Sequence, residues 1–79
     1  MYKDLLEYIV KNLVENKDVV SVDEIQNEEK LVLKLHVAKE DMGRIIGKEG
    51  RIIKAIRELI YSYAMKNHQR VTVDVEEIK

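Results

Sequence analysis

The chain has 79 residues, of which 46% are hydrophobic, so its length allows one domain with a modest core over residues 1–79. It contains no cysteine, which excludes a disulfide framework and a thiolate metal site and fits a reducing compartment. A net charge of −1 argues against a protein that coats polyanions along its whole surface.

The beginning of the chain predicts a helix and gives no sign of a membrane segment. Leu5, Ile9 and Leu13 recur four apart, which indicates an amphipathic helix from Tyr2 to about Asn16. Tyr8 falls off this apolar stripe, and we interpret it as a surface residue, with a partner contact as the alternative. The first residues do not form a signal peptide, and no apolar run reaches about 18 residues. We therefore expect a soluble, cytoplasmic protein with no membrane partner.

Three segments have the composition and alternation of β-strands. Residues 19–26 alternate only partly and predict an edge strand, which a polar turn at Asn27-Glu28-Glu29 connects to the next strand. Residues 31–37 form the clearest strand and residues 70–76 the last one. The apolar face of the clearest strand contains Leu31, Leu33, Leu35 and Val37.

Two helical segments lie between the second and third strands. Residues 41–46 predict a short helix, and Gly47 suits the left-handed position that closes a helix. Residues 51–66 predict a longer amphipathic helix. Its expected core face contains Ile52, Ile56, Leu59, Ile60 and Tyr63, with Ile53 and Ala64 at its margin. The adjoining side carries Lys54, Arg57, Tyr61 and Met65, and is either solvated or packed on another chain.

The order of these elements predicts an α+β fold. Three helices are expected on one face of a three-stranded mixed sheet, in the order αββααβ. A right-handed crossover through the two central helices places the last strand parallel to the strand at residues 31–37.

The glycines at the joint between the two central helices predict a site for a phosphate backbone. Gly47 and Gly50 lack a Cβ and let another backbone approach closely, and the first amides of the helix that follows attract anions. Six basic and three acidic residues fall between Lys39 and Arg57, so this segment carries +3 and the remainder −4. The candidate site comprises Gly43, Arg44, Ile46, Gly47, Lys48, Glu49, Gly50, Arg51, Ile53, Lys54 and Arg57.

The string at residues 43–52, GRIIGKEGRI, resembles the GxxG loop and flanks of a KH domain, a module that clamps four backbone nucleotides of RNA. With the leading helix and the final strand, nearly the whole chain is similar to the small bacterial KH proteins of the KhpA (YlqC) family. The resemblance implies the type II fold and noncatalytic binding of single-stranded RNA as an RNA chaperone or post-transcriptional regulator. It also implies a homodimer, or a heterodimer with a larger KH protein, and a connection to cell shape and cell-wall biogenesis.

The chemistry of the residues predicts a role for each part of the site. Gly47, Lys48, Gly50 and Arg51 would form the backbone clamp, and Arg44, Lys54 and Arg57 would add charge. Ile46 and Ile53 would form the floor of the groove, and the resemblance implies that the strand at residues 31–37 and the loop at residues 27–29 form its other wall. Without an aromatic residue at the loop, binding is expected to be modest. Glu49 further lowers the local positive field.

Other classes of site fit the sequence less well. A P-loop needs four residues between its glycines and a Ser or Thr after the lysine, whereas Gly43 and Gly47 are separated by three and Glu49 follows Lys48. Two serines and two histidines lie in separate elements, so no enzyme activity, metal, cofactor or small-molecule substrate is expected, and we interpret the carboxylates as solvating charge. The glycines alternatively serve only to cap and pack helices. The alternative function is a protein-interaction or ribosome-assembly adaptor that uses the side bearing Tyr61 and Met65.

Overall fold

The computed structural model of the protein describes residues 2–78, apart from the side chain of Lys48. The elements in chain order are α1 (Tyr2–Lys11), a 3-10 turn (Lys17–Val19), β1 (Ser21–Gln26), β2 (Leu31–Val37), α2 (Lys39–Lys66) and β3 (Val71–Glu77). None of the helices in the described chain has the length and apolar character needed to cross a membrane.

The three strands form one mixed sheet in the order β1-β2-β3. β1 pairs with β2 in antiparallel register, and β3 pairs with β2 in parallel register. The predicted turn between β1 and β2 is organised by Asn27, whose Oδ1 accepts hydrogen bonds from the amides of Glu29 (2.9 Å) and Lys30 (2.8 Å). Asparagine side chains favour such turns because they bond to the backbone two and three residues ahead. The expected parallel placement of the last strand is confirmed.

α1 covers one side of this sheet with a stripe of buried residues four apart: Tyr2, Leu6, Val10 and Val14. The helix ends at Lys11, earlier than the predicted end near Asn16, and a turn continues it, in which the Leu13 amide donates to the carbonyl of Val10 (2.9 Å). Leu5, Ile9 and Leu13 lie at the margin of the core, one position from the stripe that the sequence suggested. Tyr8 is exposed, as predicted.

α2 spans 28 residues, Lys39–Lys66, but two adjacent residues within it depart from the right-handed helical backbone. φ is 63° at Glu49 and 71° at Gly50, and a right-handed helix cannot continue through two left-handed residues. We call residues 39–48 the first arm of α2 and residues 51–66 its second arm. Gly47 was expected to take the left-handed position, and this prediction is wrong, since Gly50 is the only described glycine with positive φ.

The second arm packs against the sheet through a narrower stripe than predicted: Ile53, Ile56, Ile60 and Ala64. Leu59 was predicted to belong to the core, but 58% of it is exposed. Successive residues of a helix are about 100° apart, so Leu59 points about 100° away from Ile60 and clears the sheet. The expected fold is confirmed: α1 and the two arms of α2 pack on one face of a three-stranded mixed sheet.

The start of α1 meets the turn after α2 at the far end of the second arm. His68, with a φ of 57°, turns the chain out of α2, as expected of a turn residue. The hydroxyl of Tyr2 donates to Oε1 of Gln69 in this turn, and the ring of Tyr2 meets the ring of Tyr63 edge-on, with 5.4 Å between centroids. Residues 67–70 are therefore held by the first residue of α1.

Candidate nucleic-acid interface

A cleft of about 300 Å³ lies along the first arm and the start of the second arm of α2. It is lined by Gly43, Arg44, Gly47, Arg51 and Ile52. Gly43 and Gly47 are four residues apart and share one helix face. A Cβ built on either glycine would have no other atom within 4 Å, so this face of the backbone opens to solvent. Arginine side chains stand beside bare main chain in this cleft.

The change of hand at Glu49 and Gly50 ends the first arm beside this cleft. Gly50 is buried, and a Cβ added to it would meet Cγ2 of Ile53 at 3.4 Å. Its positive φ is the stronger constraint, since residues with a Cβ rarely adopt it. Glu49 is exposed and takes the same hand without being glycine, which is uncommon outside functional or strained turns.

Arg44 connects the cleft to the segment that follows α1. Its Nη2 lies 3.3 Å from Oε1 of Glu15, and its Nη1 donates to the carbonyl of Leu13 at 3.4 Å. About half of the Arg44 side chain is exposed, so the guanidinium remains at the surface of the cleft. The candidate residue Arg44 therefore lines the cleft, with its guanidinium engaged by the protein's own groups.

Asp41 holds the segment that follows α1 through hydrogen bonds to Glu15 and Asn16. It was interpreted as solvating charge, and this is wrong, because only 2% of it is exposed. Its carboxylate accepts hydrogen bonds from the amides of Glu15 and Asn16 and from Nδ2 of Asn16, each 3.1 Å long. Burial raises the pKa of Asp41, but these hydrogen bonds and the nearby Arg44 charge outweigh it and leave the pKa below its usual value.

No sequence signal marked Asp41 as buried, because its partners lie about 25 residues earlier in the chain. An aspartate in the first turn of a helix is ordinary at the surface. Only the packing of the segment after α1 against that turn shows its role.

Several candidate residues, among them Ile53, Lys54 and Arg57, do not line the cleft. Ile53 was expected in the groove floor, but it is 5% exposed and belongs to the core, because it lies on the stripe that packs on the sheet. Nε of Arg57 donates to the carbonyl of Val73 in β3 at 3.1 Å, so this arginine points along the opposite flank of the second arm. Lys54 is exposed one turn before it. Ile46, also expected in the groove floor, is exposed and does not line the cleft, and the side chain of Lys48 lies outside the described structure.

β2 does not form the groove wall that was expected of it. It is the central strand, and its backbone pairs with β1 on one edge and β3 on the other. The strand whose outer edge runs beside the second arm is β3, where Arg57 meets Val73. Near the start of β3 a second depression of about 380 Å³ opens between this strand and the end of α2, lined in part by Lys30, Tyr61 and Met65.

The face of the sheet away from the helices is polar. His36 lies between two carboxylates, with Nε2 3.1 Å from Oδ2 of Asp23 and Nδ1 3.7 Å from Oε2 of Glu76. Lys34 Nζ lies 3.8 Å from the other oxygen of Glu76. Across residues 2–78, no three His, Cys, Asp or Glu side chains are grouped so that they could hold a metal ion.

Comparison with known proteins matches the sequence of the chain to a protein family. The family model for the KH domain of KhpA/KhpB matches residues 3–75. The chain belongs to this family. The glycines at positions 47 and 50 therefore fall within the matched KH domain, as do both arms of α2.

Individual members of the KhpA/KhpB family cover nearly the whole chain. A Chlamydia caviae protein named "RNA-binding protein KhpA" is 48% identical over 77 residues, which are 98% of this chain and 99% of that protein. A protein of the same name from Clostridium acetobutylicum is 51% identical over 73 residues, 92% of this chain and 97% of its own length. A third, from Borreliella burgdorferi, is 42% identical over 72 residues, 91% and 88% of the two chains.

Proposed function

We propose that this protein binds single-stranded RNA without catalysis, through the cleft beside Gly43 and Gly47 and the change of hand at Glu49 and Gly50. The observation that carries the proposal is the open main chain of the two glycines between the side chains of Arg44 and Arg51. The relatives in the KhpA/KhpB family named as RNA-binding proteins support the same ligand.

The chemistry of binding follows from the start of the second arm. The first amides of a helix have no carbonyl partner within that helix, and their dipoles favour negative charge. A phosphate of the RNA backbone accepts hydrogen bonds from these amides, while the Arg51 guanidinium contributes charge and a two-pronged contact. Gly43 and Gly47 leave room for the sugar-phosphate chain to lie against the helix.

The composition of the cleft sets its affinity and selectivity. None of its lining residues is aromatic, so bases have no ring to stack on, and Glu49 lies exposed beside it. We propose modest affinity with weak sequence preference. A cleft of this size accepts one strand, so single-stranded RNA is the proposed target.

We further propose that the protein acts in the cytoplasm as an RNA chaperone or post-transcriptional regulator together with a second KH chain. Both Leu59 and Met65 are apolar residues of the second arm and are 58% and 75% exposed, which supports an interface with another chain. The partner is either a second copy or a larger KH protein. The proposed connection to cell shape and cell-wall biogenesis rests on the family alone.

A charge-reversed clamp tests RNA binding. Lys48→Asp with Glu49→Asp places a carboxylate where a phosphate would lie, and Asp tolerates the left-handed backbone at residue 49. Lys66→Asp is the matched control, because it changes the net charge equally at the far end of the same helix, where Lys66 is exposed. Retention of a short oligouridylate on a filter is expected to disappear in the first variant and persist in the second. Equal retention by both folded variants would refute the proposed site.

The adaptor function remains the second candidate, because the exposed Met65 and the depression beside Tyr61 suit a protein contact. Salt separates the two functions. RNA binding through phosphates weakens steeply with rising salt, whereas an apolar protein interface responds little. RNA binding is measured at several salt concentrations. Light scattering at the same concentrations measures the self-association of the protein.

A further inference from the structure

We propose that Glu15 lowers the affinity of the cleft for RNA by pairing with the Arg44 guanidinium. The Glu15 carboxylate then competes with an RNA phosphate for Arg44. This inference rests on the proposed function and assigns a regulator to its site. Its geometry is the 3.3 Å contact between the Glu15 carboxylate and a terminal nitrogen of Arg44, a residue that lines the cleft.

In this contact Arg44 has fewer free N–H groups for a phosphate than an unpaired arginine would have. A guanidinium binds a phosphate best through two parallel N–H groups. One terminal nitrogen of Arg44 faces Glu15 and the other donates to the carbonyl of Leu13 at 3.4 Å. A phosphate that takes the N–H groups used in these two contacts has to displace a carboxylate and a carbonyl.

The fold determines the position of Glu15. Asp41, buried beneath, accepts a hydrogen bond from the Glu15 amide at 3.1 Å and therefore fixes the backbone from which this side chain reaches Arg44. Asp41 and Arg44 are three residues apart on the first arm, so they face the same segment. The side chain of Glu15 itself is largely exposed and free to leave when another anion takes its place.

The contact is weak enough to be displaced. Ion pairs between exposed side chains contribute little to stability, so removing this one is expected to tighten RNA binding by about two- to fivefold. Glu15→Gln removes the charge and leaves the amide that Asp41 binds, and its thermal unfolding is expected to match that of the parent protein.

The experiment is a set of affinities for a short fluorescent oligouridylate at low salt, measured by anisotropy. Glu15→Gln is compared with Asp18→Asn, which removes the same charge from an exposed residue three positions later. Each change is repeated in an Arg44→Gln background. The expected result is a two- to fivefold gain for Glu15→Gln that vanishes without Arg44, against a smaller effect of Asp18→Asn that is equal in both backgrounds.

Each other outcome has one meaning. An unchanged affinity of Glu15→Gln, or a gain that persists without Arg44, overturns the inference while RNA binding by the parent protein upholds the proposed function. If neither the parent nor Glu15→Gln binds the oligouridylate, the proposed function fails and this inference fails with it. Binding by Glu15→Gln alone supports the inference in its strongest form.

Discussion

The cleft beside the glycines and the open face of the sheet both present charge to solvent, but they arrange it differently. On the sheet, Lys34 lies opposite Asp23 and Asp74 in the strand register, and His36 lies between two carboxylates. In the cleft, Arg51 has no ion pair with any described residue and stands beside bare backbone. Basic residues on the sheet are therefore neutralised by their neighbours, whereas Arg51 is available to an external anion.

The largest loss of stability is expected at Gly50, where the structure requires a left-handed backbone conformation. Gly50→Val forces a β-branched residue to a φ of 71°, which costs about 1–3 kcal/mol, and the new side chain also meets Ile53. Urea unfolding is expected to show this loss, and RNA binding is expected to fall with it. On the sheet, Thr72→Val is the control at a half-buried position whose backbone already suits β-branched residues. A Gly50→Val protein as stable as its parent would contradict the left-handed backbone.

A second effect distinguishes a buried carboxylate from an exposed one. Asp41→Asn removes the charge that the amides of Glu15 and Asn16 stabilise, so we expect a lower melting temperature at neutral pH, whereas Asp23→Asn on the sheet changes it little. Because the folded-state pKa of Asp41 is lowered, its contribution is complete above the unfolded value of 3.8 and is lost as the pH falls through the folded-state pKa.

Thermal unfolding as a function of pH tests this assignment. The difference between the parent protein and Asp41→Asn is expected to be constant near neutral pH and to shrink below about pH 3.8. A difference that grew on acidification would mean that Asp41 is protonated more easily in the folded protein, contrary to its hydrogen bonds.

The third effect compares one cation from each face. Arg51→Gln and Lys34→Gln each remove one positive charge, and loss of a phosphate contact is expected to weaken RNA binding about tenfold, or 1.4 kcal/mol, only for Arg51. The slope of log affinity against log salt should also fall by about 0.7–1 for Arg51→Gln. Equal losses for both variants would mean that net charge, and not the cleft, controls binding.

The smallest effect on stability is expected at Gly43. Alanine fits there without a contact within 4 Å and favours the helix, so Gly43→Ala is expected to gain up to about 1 kcal/mol in urea unfolding. The added methyl group nevertheless projects into the cleft. A Gly43→Ala protein that is more stable but binds RNA less tightly would show that Gly43 serves RNA binding and not folding. Unchanged RNA affinity would mean that the RNA strand does not lie against Gly43.

The sequence predicted those features that depend on local pattern. Alternating valines and leucines gave the strands, and the crossover rule gave the parallel pairing of β3 with β2. Helical spacing gave α1 and the second arm of α2. It did not fix which residues face the sheet, and Leu59 was misplaced because it lies three residues after Ile56, a separation that predicts the same helix face as readily as the four residues to Ile60.

The site was less predictable because it depends on packing between distant segments. The GxxG string located the joint but not its geometry, since Gly47, Glu49 and Gly50 are all able to take a left-handed conformation. The roles of Asp41 and Arg44 depend on residues 13–16, which lie about 25–31 positions earlier in the chain. Spacing within one element carries no information about such contacts.

The contact of Tyr2 with Gln69 has a consequence for how the protein forms during synthesis. The two residues are 67 positions apart, so α1 leaves the ribosome well before Gln69 and obtains this contact only after β1, β2 and α2 have been synthesised. Closing so long a loop costs conformational entropy before the contact contributes any favourable free energy. Until Gln69 has been synthesised, the Tyr2 hydroxyl lacks this partner, so the first turn of α1 obtains its full set of contacts later than the rest of the helix, which packs on β1, β2 and α2.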